Sequence, residues 1–125
     1  MSELSLSVTE TDGRTVITVS GDLDIRWAER LTALAAERVP DGASAIIDLT
    51  DLAFLDSAGL GTLLNLWKRL QRGGGDLVLA GAGRHNARAL WLTGLADRLP
   101  RADSLQAALD AGRPAPGTGR SAADG

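Results

Sequence analysis

The sequence is poor in several residue types, and each shortage narrows its chemistry. It contains no cysteine, one histidine, three tryptophans and one phenylalanine. Without cysteine, the chain cannot form disulfides or cysteine-ligated zinc sites. A single histidine argues against a typical transition-metal centre within one chain, so we expect no metal site and no cofactor. Because aromatic residues make up only 3% of the chain, leucine, valine, isoleucine and alanine must fill its core.

The sequence also lacks the segments that mark membrane and exported proteins. No apolar run approaches the roughly 20 residues that are needed to cross a bilayer. The first residues show no basic segment followed by an apolar stretch, which is the pattern of a signal peptide. The net charge is -3, whereas proteins that bind nucleic acid or anionic membranes usually carry a basic surface. We therefore expect a cytoplasmic protein with no direct contact to nucleic acid or membrane.

The length and composition fit one globular domain followed by a tail. The 125 residues are 44% apolar and 23% charged, which suits a soluble domain with a core of its own. From Gly112 onward, glycine, proline, alanine, serine and arginine predominate, and this composition is typical of disorder. We therefore expect a domain over residues 1–111 and a disordered tail over residues 112–125.

The N-terminal segment predicts a β-hairpin. Residues 4–10 alternate between apolar and polar, as a half-buried strand does. Asp12-Gly13 follows, and this pair favours a two-residue type I′ turn, which requires positive φ at both positions. A return strand over residues 15–20 then places Val8 opposite Ile17, so that the apolar residues share one face.

Helical and strand patterns alternate through the rest of the domain. We expect GDLD at residues 21–24 to end the second strand and Asp24 to cap a helix. Two antiparallel strands followed by alternating helix and strand predict an α/β domain with a small mixed sheet and about four helices, mainly on one face. The predicted helices cover about residues 25–39, 57–72, 85–93 and 104–111 (the last capped by Asp103 or Ser104), and the predicted strands cover residues 45–49 and 77–80 with an edge segment at 99–100.

The most informative segment is DLTDLAFLDSAGLGTLL, residues 48–64. A buried strand leads through a short loop to Asp56 and Ser57, which begin an amphipathic helix whose first turn offers free N–H groups and a partial positive charge. Either residue is suited to cap this helix, and Ser57 is also a candidate for phosphorylation, which adds about -1.5 to -2 charges. A phosphate there would be attracted by the helix terminus and repelled by Asp56, Asp24 and Asp22.

Two glycines follow in the first turns of the same helix. Gly59 and Gly61 each cost about 1 kcal/mol relative to alanine inside a helix, so their presence needs a reason. One reason is the close approach of another protein to the backbone. The other is tight packing of the helix on the sheet.

Five motifs follow one another along the chain in an order that is typical of one family. They are GDLD at residues 21–24, the DSAGLG element at 56–61, GGGDLVLAG at 73–81, LTGL at 92–95 and SLQAAL at 104–109. Over about 85–90% of the chain, this order and spacing resemble the STAS domain of anti-sigma-factor antagonists.

The resemblance implies a binding module and kinase substrate rather than an enzyme. In this family the unphosphorylated protein binds an anti-sigma factor, a serine kinase with a histidine-kinase-like ATPase fold, and thereby releases a sigma factor for transcription. The serine directly after the motif aspartate, here Ser57, accepts a phosphate that weakens this binding, and a metal-dependent serine phosphatase removes it. The implied partner-binding residues are Asp22, Asp24, Asp56, Ala58, Gly59, Leu60 and Gly61.

Two alternatives belong to other functional classes. An enzyme would use Ser57 as nucleophile and His85 as base, but the D-S-A-G sequence is not the G-x-S-x-G elbow of hydrolases. A nucleotide-binding protein would use the loop at residues 81–86, which follows a strand and opens a helix but lacks the third glycine of the dinucleotide motif. Arg84 and Arg88 beside this loop are also candidates for contacts with acidic groups of a partner.

A third alternative keeps the fold and changes the role. The domain would then be a STAS subunit of a membrane transporter or of a stress-signalling complex, with a constitutive protein contact. Phosphorylation by a kinase distinguishes the regulated role from the constitutive one.

Overall fold

The computed structural model describes residues 3–111, which form one mixed sheet and four helices. The tail that was predicted to be disordered, residues 112–125, lies outside the described residues. In chain order the elements are β1 (Ser5–Thr11), β2 (Arg14–Leu23), α1 (Ala28–Arg38), β3 (Ala45–Asp48), β4 (Leu52–Leu55), α2 (Ser57–Arg72), β5 (Leu77–Ala80), α3 (Arg88–Leu92), a 3-10 helix (Leu95–Asp97), β6 (Arg101–Ala102) and α4 (Leu105–Ala111).

The predicted N-terminal β-hairpin is present in the structure. Strands β1 and β2 pair antiparallel, with Val8 opposite Ile17. Asp12 and Gly13 have φ values of 53° and 76°, as a type I′ turn requires. Ile17, Val19 and Leu23 of β2 pack in the larger core cluster, whereas Val16 packs in the smaller cluster on the other face of the sheet.

The sheet is mostly parallel and has the order β1-β2-β3-β5-β6, with β4 paired to β2. Strand β2 changes neighbours along its length: residues 15–18 pair with β3, and residues 21–23 pair with β4. The register shifts between Gly21 and Asp22, at the change of partner. The predictions that β2 ends at residue 20 and that residues 50–55 form a loop are therefore wrong, because the GDLD segment continues into the sheet and LAFL becomes its neighbour.

Most helices pack on one face of the sheet, as predicted. Helices α1, α2 and α3 cover a large core in which Ile17, Ile47, Leu63 and Leu79 are almost fully buried. Of the described helices, only α4 covers the other face, where Leu109 packs against a smaller cluster. Because the strands from β2 onward run parallel, the loops after β2, β4 and β5 emerge at the same edge of the sheet.

Two helices begin later than predicted. The carbonyl of Asp24 accepts the N–H groups of both Trp27 and Ala28, so a turn precedes α1 and the helix starts three residues after the predicted residue 25. Helix α3 starts at Arg88 rather than 85, because the Asn86 side chain closes the preceding turn by accepting the N–H of Gly83.

The C-terminal elements differ in detail. The edge strand is Arg101–Ala102, paired with the end of β5, and not the predicted residues 99–100. Leu99 is instead buried in the core. Of the two predicted caps for α4, Ser104 takes the role, because its hydroxyl accepts the N–H of Ala107 at 3.0 Å.

Candidate functional site

Ser57 is the first residue of α2, and its side chain is exposed to solvent. Within residues 3–111, its hydroxyl makes no hydrogen bond. The hydroxyl is therefore open to an enzyme that transfers a phosphate, and it lies at the positive end of a 16-residue helix.

Asp56 is the N-cap of this helix, and Ser57 is not. One carboxylate oxygen, Oδ1, accepts the N–H of Gly59 at 2.9 Å. The other, Oδ2, accepts the N–H of Ile25 at 3.0 Å, in the turn that precedes α1. Asp56 thus satisfies a helix terminus and ties the β2–α1 turn to the start of α2 with a single side chain.

The two glycines after Ser57 have different reasons. A Cβ on Gly59 would lie 2.1 Å from the carbonyl oxygen of Leu23, so this glycine lets α2 sit directly on the end of β2. A Cβ on Gly61 would meet nothing within 4 Å. Tight helix–sheet packing therefore explains Gly59, whereas Gly61 leaves an open stretch of helix surface.

The structure distributes the expected contact residues of α2 between surface and core. Ala58 and Gly61 are partly exposed, and the side chain of Asp56 is partly exposed as well. Gly59 and Leu60, by contrast, are buried. Their expected place on the docking surface needs correction, because they support that surface from below and do not reach it.

Asp22 and Asp24 are joined by Arg26, a residue that the sequence analysis overlooked. The Arg26 guanidinium contacts the Asp24 carboxylate at 2.7 Å and that of Asp22 at 3.4 Å. The Asp24 carboxylate also accepts the backbone N–H of Arg26 at 3.0 Å. The expected ring of free carboxylates around Ser57 is therefore partly neutralised, and the spacing of Arg26, four residues after Asp22, was the signal that could have revealed it.

The bond from the Arg26 side chain is the main reason that the pKa of Asp24 lies below its ordinary value of 3.8. Partial burial acts in the opposite direction and does not outweigh it. The same contact raises the pKa of Arg26. Because the folded state favours ionised Asp24, this pair stabilises the fold above about pH 4, and the contribution is lost as the pH falls through the lowered pKa.

This linkage predicts how Arg26→Gln responds to pH. Near neutral pH the variant should have a lower free energy of unfolding than the wild type. At acidic pH, below the lowered pKa of Asp24, the difference should shrink. Urea unfolding at the two pH values measures it, with Arg88→Gln as the control, because Arg88 forms no ion pair within residues 3–111. An equal loss at both pH values would assign the effect to packing of Arg26 on Trp27 instead.

Large apolar side chains are exposed around the site. Ile25 is 77% exposed, Leu92 is 72% exposed and Phe54 is 51% exposed. Ile25 belongs to the turn that Asp56 holds, and Phe54 lies two residues before Asp56. Leu92 is on α3, which packs against β4 and α2. We call these three residues, together with Ser57, Ala58 and Gly61, the serine face. Exposed apolar residues gathered near one feature are typical of a protein-binding surface.

The serine face was only partly predictable. The sequence pattern predicts a loop at Phe54 and the first turn of a helix at Ile25, whereas Phe54 lies in β4 and Ile25 lies in the turn before α1. In the structure, Phe54 points away from the core while its neighbour Leu55 is buried. An apolar residue on the open face of a strand was the signal, and it became visible only once the strand was known.

The structure does not favour the enzyme or the nucleotide-binding alternative at His85 or in the loop at residues 81–86. His85 is exposed in the turn before α3, and no hydrogen bond joins it to Ser57 among the described residues. In the loop at residues 81–86, the N–H of Gly81 donates to the Ala102 carbonyl and that of Gly83 to the Asn86 side chain. The first N–H group is used by β6 and the second inside the loop, so they are not presented together to a phosphate.

Between residues 3 and 111, no helix combines the length and hydropathy of a membrane span. In the same range, no three side chains of histidine, cysteine, aspartate or glutamate gather as a metal site requires.

The chain matches a known protein family and shares its fold with solved structures. Residues 5–108 match the family described as the STAS domain, and the chain therefore belongs to the STAS family. The anti-sigma-B factor antagonist of Listeria monocytogenes is 33% identical over 96 residues, which cover 75% of this chain and 84% of the relative. Relatives that match this chain are named as anti-sigma factor antagonists.

Solved structures show the same architecture. An anti-sigma factor antagonist from Mycobacterium paratuberculosis has a TM-score of 0.71 and 29% identity, and the match covers 87% of this chain and 93% of that one. The Bacillus cell fate determinant SpoIIAA in its phosphorylated form has a TM-score of 0.64 and 24% identity, covering 89% and 100%. A sulfate transporter family protein from Wolinella succinogenes shares the fold at a TM-score of 0.67 and 20% identity, covering 82% and 87%.

Proposed function

We propose that the unphosphorylated protein binds an anti-sigma factor serine kinase through the serine face, and that phosphorylation of Ser57 ends this binding. The binding frees a sigma factor for transcription. A serine phosphatase restores the binding-competent form. The observation that carries the proposal is an exposed serine hydroxyl, without a hydrogen bond inside residues 3–111, at the start of a long helix and among exposed apolar side chains.

The hydroxyl has the accessibility that a kinase needs. Asp56, not Ser57, caps the helix, so modification of Ser57 does not remove the cap. A phosphate at the first helical position also meets the positive end of the helix, so α2 itself tolerates the new charge. The fold is thus expected to persist while the surface changes.

The surroundings of Ser57 explain why the added charge acts against binding. Ile25 and Phe54 offer apolar area to a partner, and a phosphate on Ser57, next to the Asp56 that binds Ile25, must be desolvated when the partner docks. Arg26, the cation of the neighbouring turn, is already bound by two carboxylates. A doubly charged group therefore enters the interface without a free positive charge supplied by this turn.

Phosphoryl transfer tests the proposal directly. Incubation of the full chain with its cognate anti-sigma factor kinase and ATP should place one phosphate on Ser57, located by peptide mass spectrometry. Ser57→Ala should remain unlabelled. Ser104→Ala is the matched control, because Ser104 is also exposed at a helix start, and it should be labelled like the wild type.

The same experiment separates the constitutive alternative. A STAS subunit with a permanent contact would bind its partner whether or not ATP is present, and Ser57 would stay unmodified. Label on Ser104 in place of Ser57 would equally contradict the proposal.

A further inference from the structure

A second cluster combines residues of the loop after β5, of α3 and of β6. The guanidinium carbon of Arg84 is 4.1 Å from the centre of the Trp91 ring, and that of Arg101 is 4.5 Å from it. The three side chains line a cavity of about 270 Å³ together with the loop at residues 81–83 and with Asp103. We call Arg84, Trp91 and Arg101 the arginine–tryptophan cluster.

The cluster is held in place by the backbone around it. The indole N–H of Trp91 donates to the carbonyl of Ala82 at 3.2 Å. The Nε of Arg101 donates to the carbonyl of Ala96. The terminal nitrogens of Arg101 keep their donors, and Arg84 makes no hydrogen bond in the described chain. The Trp91 ring is thus held in place, and N–H donors of Arg84 and Arg101 beside it remain available to a ligand.

The positive charge of the cluster is not neutralised. Arg26 and Arg69 form ion pairs, whereas neither Arg84 nor Arg101 has a carboxylate within 4.0 Å among residues 3–111. Asp103 lines the same cavity without reaching either guanidinium at that distance. The chain has a net charge of -3, but the two unpaired guanidinium groups on the Trp91 ring make this site locally positive.

The size and chemistry of the cavity limit what it can bind. A volume of about 270 Å³ lies just below the range of roughly 300–1,000 Å³ that is usual for small-molecule sites. The N–H groups of Gly81 and Gly83 already donate to Ala102 and to the Asn86 side chain, so a pyrophosphate would find few backbone donors. A single planar anion fits better, because guanidinium groups pair with carboxylates through two parallel N–H bonds.

We propose that the arginine–tryptophan cluster binds a glutamate or aspartate side chain in an acidic segment of a partner protein. The carboxylate is held by the free donors of Arg84 and Arg101, and the aliphatic part of the acidic side chain lies along the Trp91 ring. This site does not involve Ser57, and it acts whether or not that serine carries a phosphate.

An NMR titration of the full chain tests the site. The probe is a blocked hexaglutamate peptide, with blocked hexaglutamine as its neutral control, and the signal is the Trp91 indole N–H, assigned with Trp91→Phe. Hexaglutamate should shift this signal and leave those of Trp27 and Trp67 in place. Arg84→Gln and Arg101→Gln should each weaken binding about threefold, and both together about tenfold, as expected for exposed charge pairs.

Further variants check the assignment. Asp103→Asn removes the carboxylate that competes in the cavity and should strengthen binding about twofold. Arg88→Gln is the matched control outside the cavity and should leave the affinity unchanged. Ser57→Ala should also bind normally, so this test and the phosphorylation test can fail separately.

Three outcomes would overturn the proposal. The first is hexaglutamine shifting the Trp91 signal as strongly as hexaglutamate. The second is an equal loss of affinity in Arg88→Gln and Arg84→Gln, which would indicate diffuse charge attraction. The third is inorganic phosphate at equal concentration matching the hexaglutamate shift, which would make the cluster a phosphate site.

Discussion

Ser57→Glu is expected to bind the anti-sigma factor kinase about a hundredfold to a thousandfold more weakly than Ser57→Ala. This change corresponds to about 3–4 kcal/mol of binding free energy. A charge in the middle of an interface contributes that much when it loses its water and gains no cationic partner. The serine face meets both conditions, because Ile25 and Phe54 expose apolar area near Asp56 and Arg26 is already paired.

Isothermal titration calorimetry with the purified kinase measures this difference. Ser57→Ala should bind like the unphosphorylated wild type, since the hydroxyl has no hydrogen bond to lose within the described chain. Ser104→Glu adds the same charge at another exposed helix start, on the opposite face of the sheet, and should bind normally. Equal affinities for Ser57→Ala and Ser57→Glu would remove Ser57 from the mechanism.

Gly59→Ala is expected to lower the free energy of unfolding by about 3 kcal/mol, near the upper end of the usual cost of overpacking. The new Cβ would lie 2.1 Å from the Leu23 carbonyl oxygen and 2.9 Å from the Leu23 Cγ. The first neighbour is backbone and cannot rotate away, so α2 must shift from the end of β2. The conformation of Gly59 itself is not the obstacle, because its φ is not positive.

Gly61→Ala is the control for this substitution, two residues further along the same helix. Its Cβ would meet nothing within 4 Å, and alanine favours helix over glycine by about 1 kcal/mol. The control should therefore stabilise the protein while Gly59→Ala destabilises it. Urea unfolding of the two variants gives both values, and a loss of less than 1 kcal/mol in Gly59→Ala would show that the contact with Leu23 relaxes easily.

Local patterns predicted the parts of the fold that local interactions determine. The hairpin register follows from two adjacent residues with positive φ and from strict alternation on either side. The start of α2 follows from Asp56, whose side chain accepts an N–H three residues later. Each of these features depends on fewer than about twenty consecutive residues, so the sequence pattern contains the information.

Contacts between distant segments account for what was missed. Strand β4 exists because β2 runs on past its contact with β3 and offers a second edge. Four residues of mixed burial do not distinguish such a strand from a loop. The delayed start of α1 has the same origin, because the N–H of Ile25 is taken by Asp56, thirty-one positions away.

In the site, too, features set by local sequence were predictable, and features set by contacts between distant segments were not. Ser57 and Asp56 were identifiable from one motif, and the structure places them as an exposed residue and its cap. The role of Gly59 was left between two explanations, because only the position of the Leu23 carbonyl decides between them. The spacing of Arg26, four residues after Asp22, is a sequence signal for its ion pairs with Asp22 and Asp24.

The two hydrogen bonds of Asp56 lower the conformational entropy that is lost when a partner docks. The Asp56 carboxylate accepts hydrogen bonds from the turn before α1 and from the first turn of α2, and these bonds restrain the two segments relative to each other in the free protein. A partner therefore meets a surface that already has its bound shape, and little chain freedom has to be frozen out on contact. The affinity of such a surface reflects the groups it presents, and one new charge can then govern whether the complex forms at all.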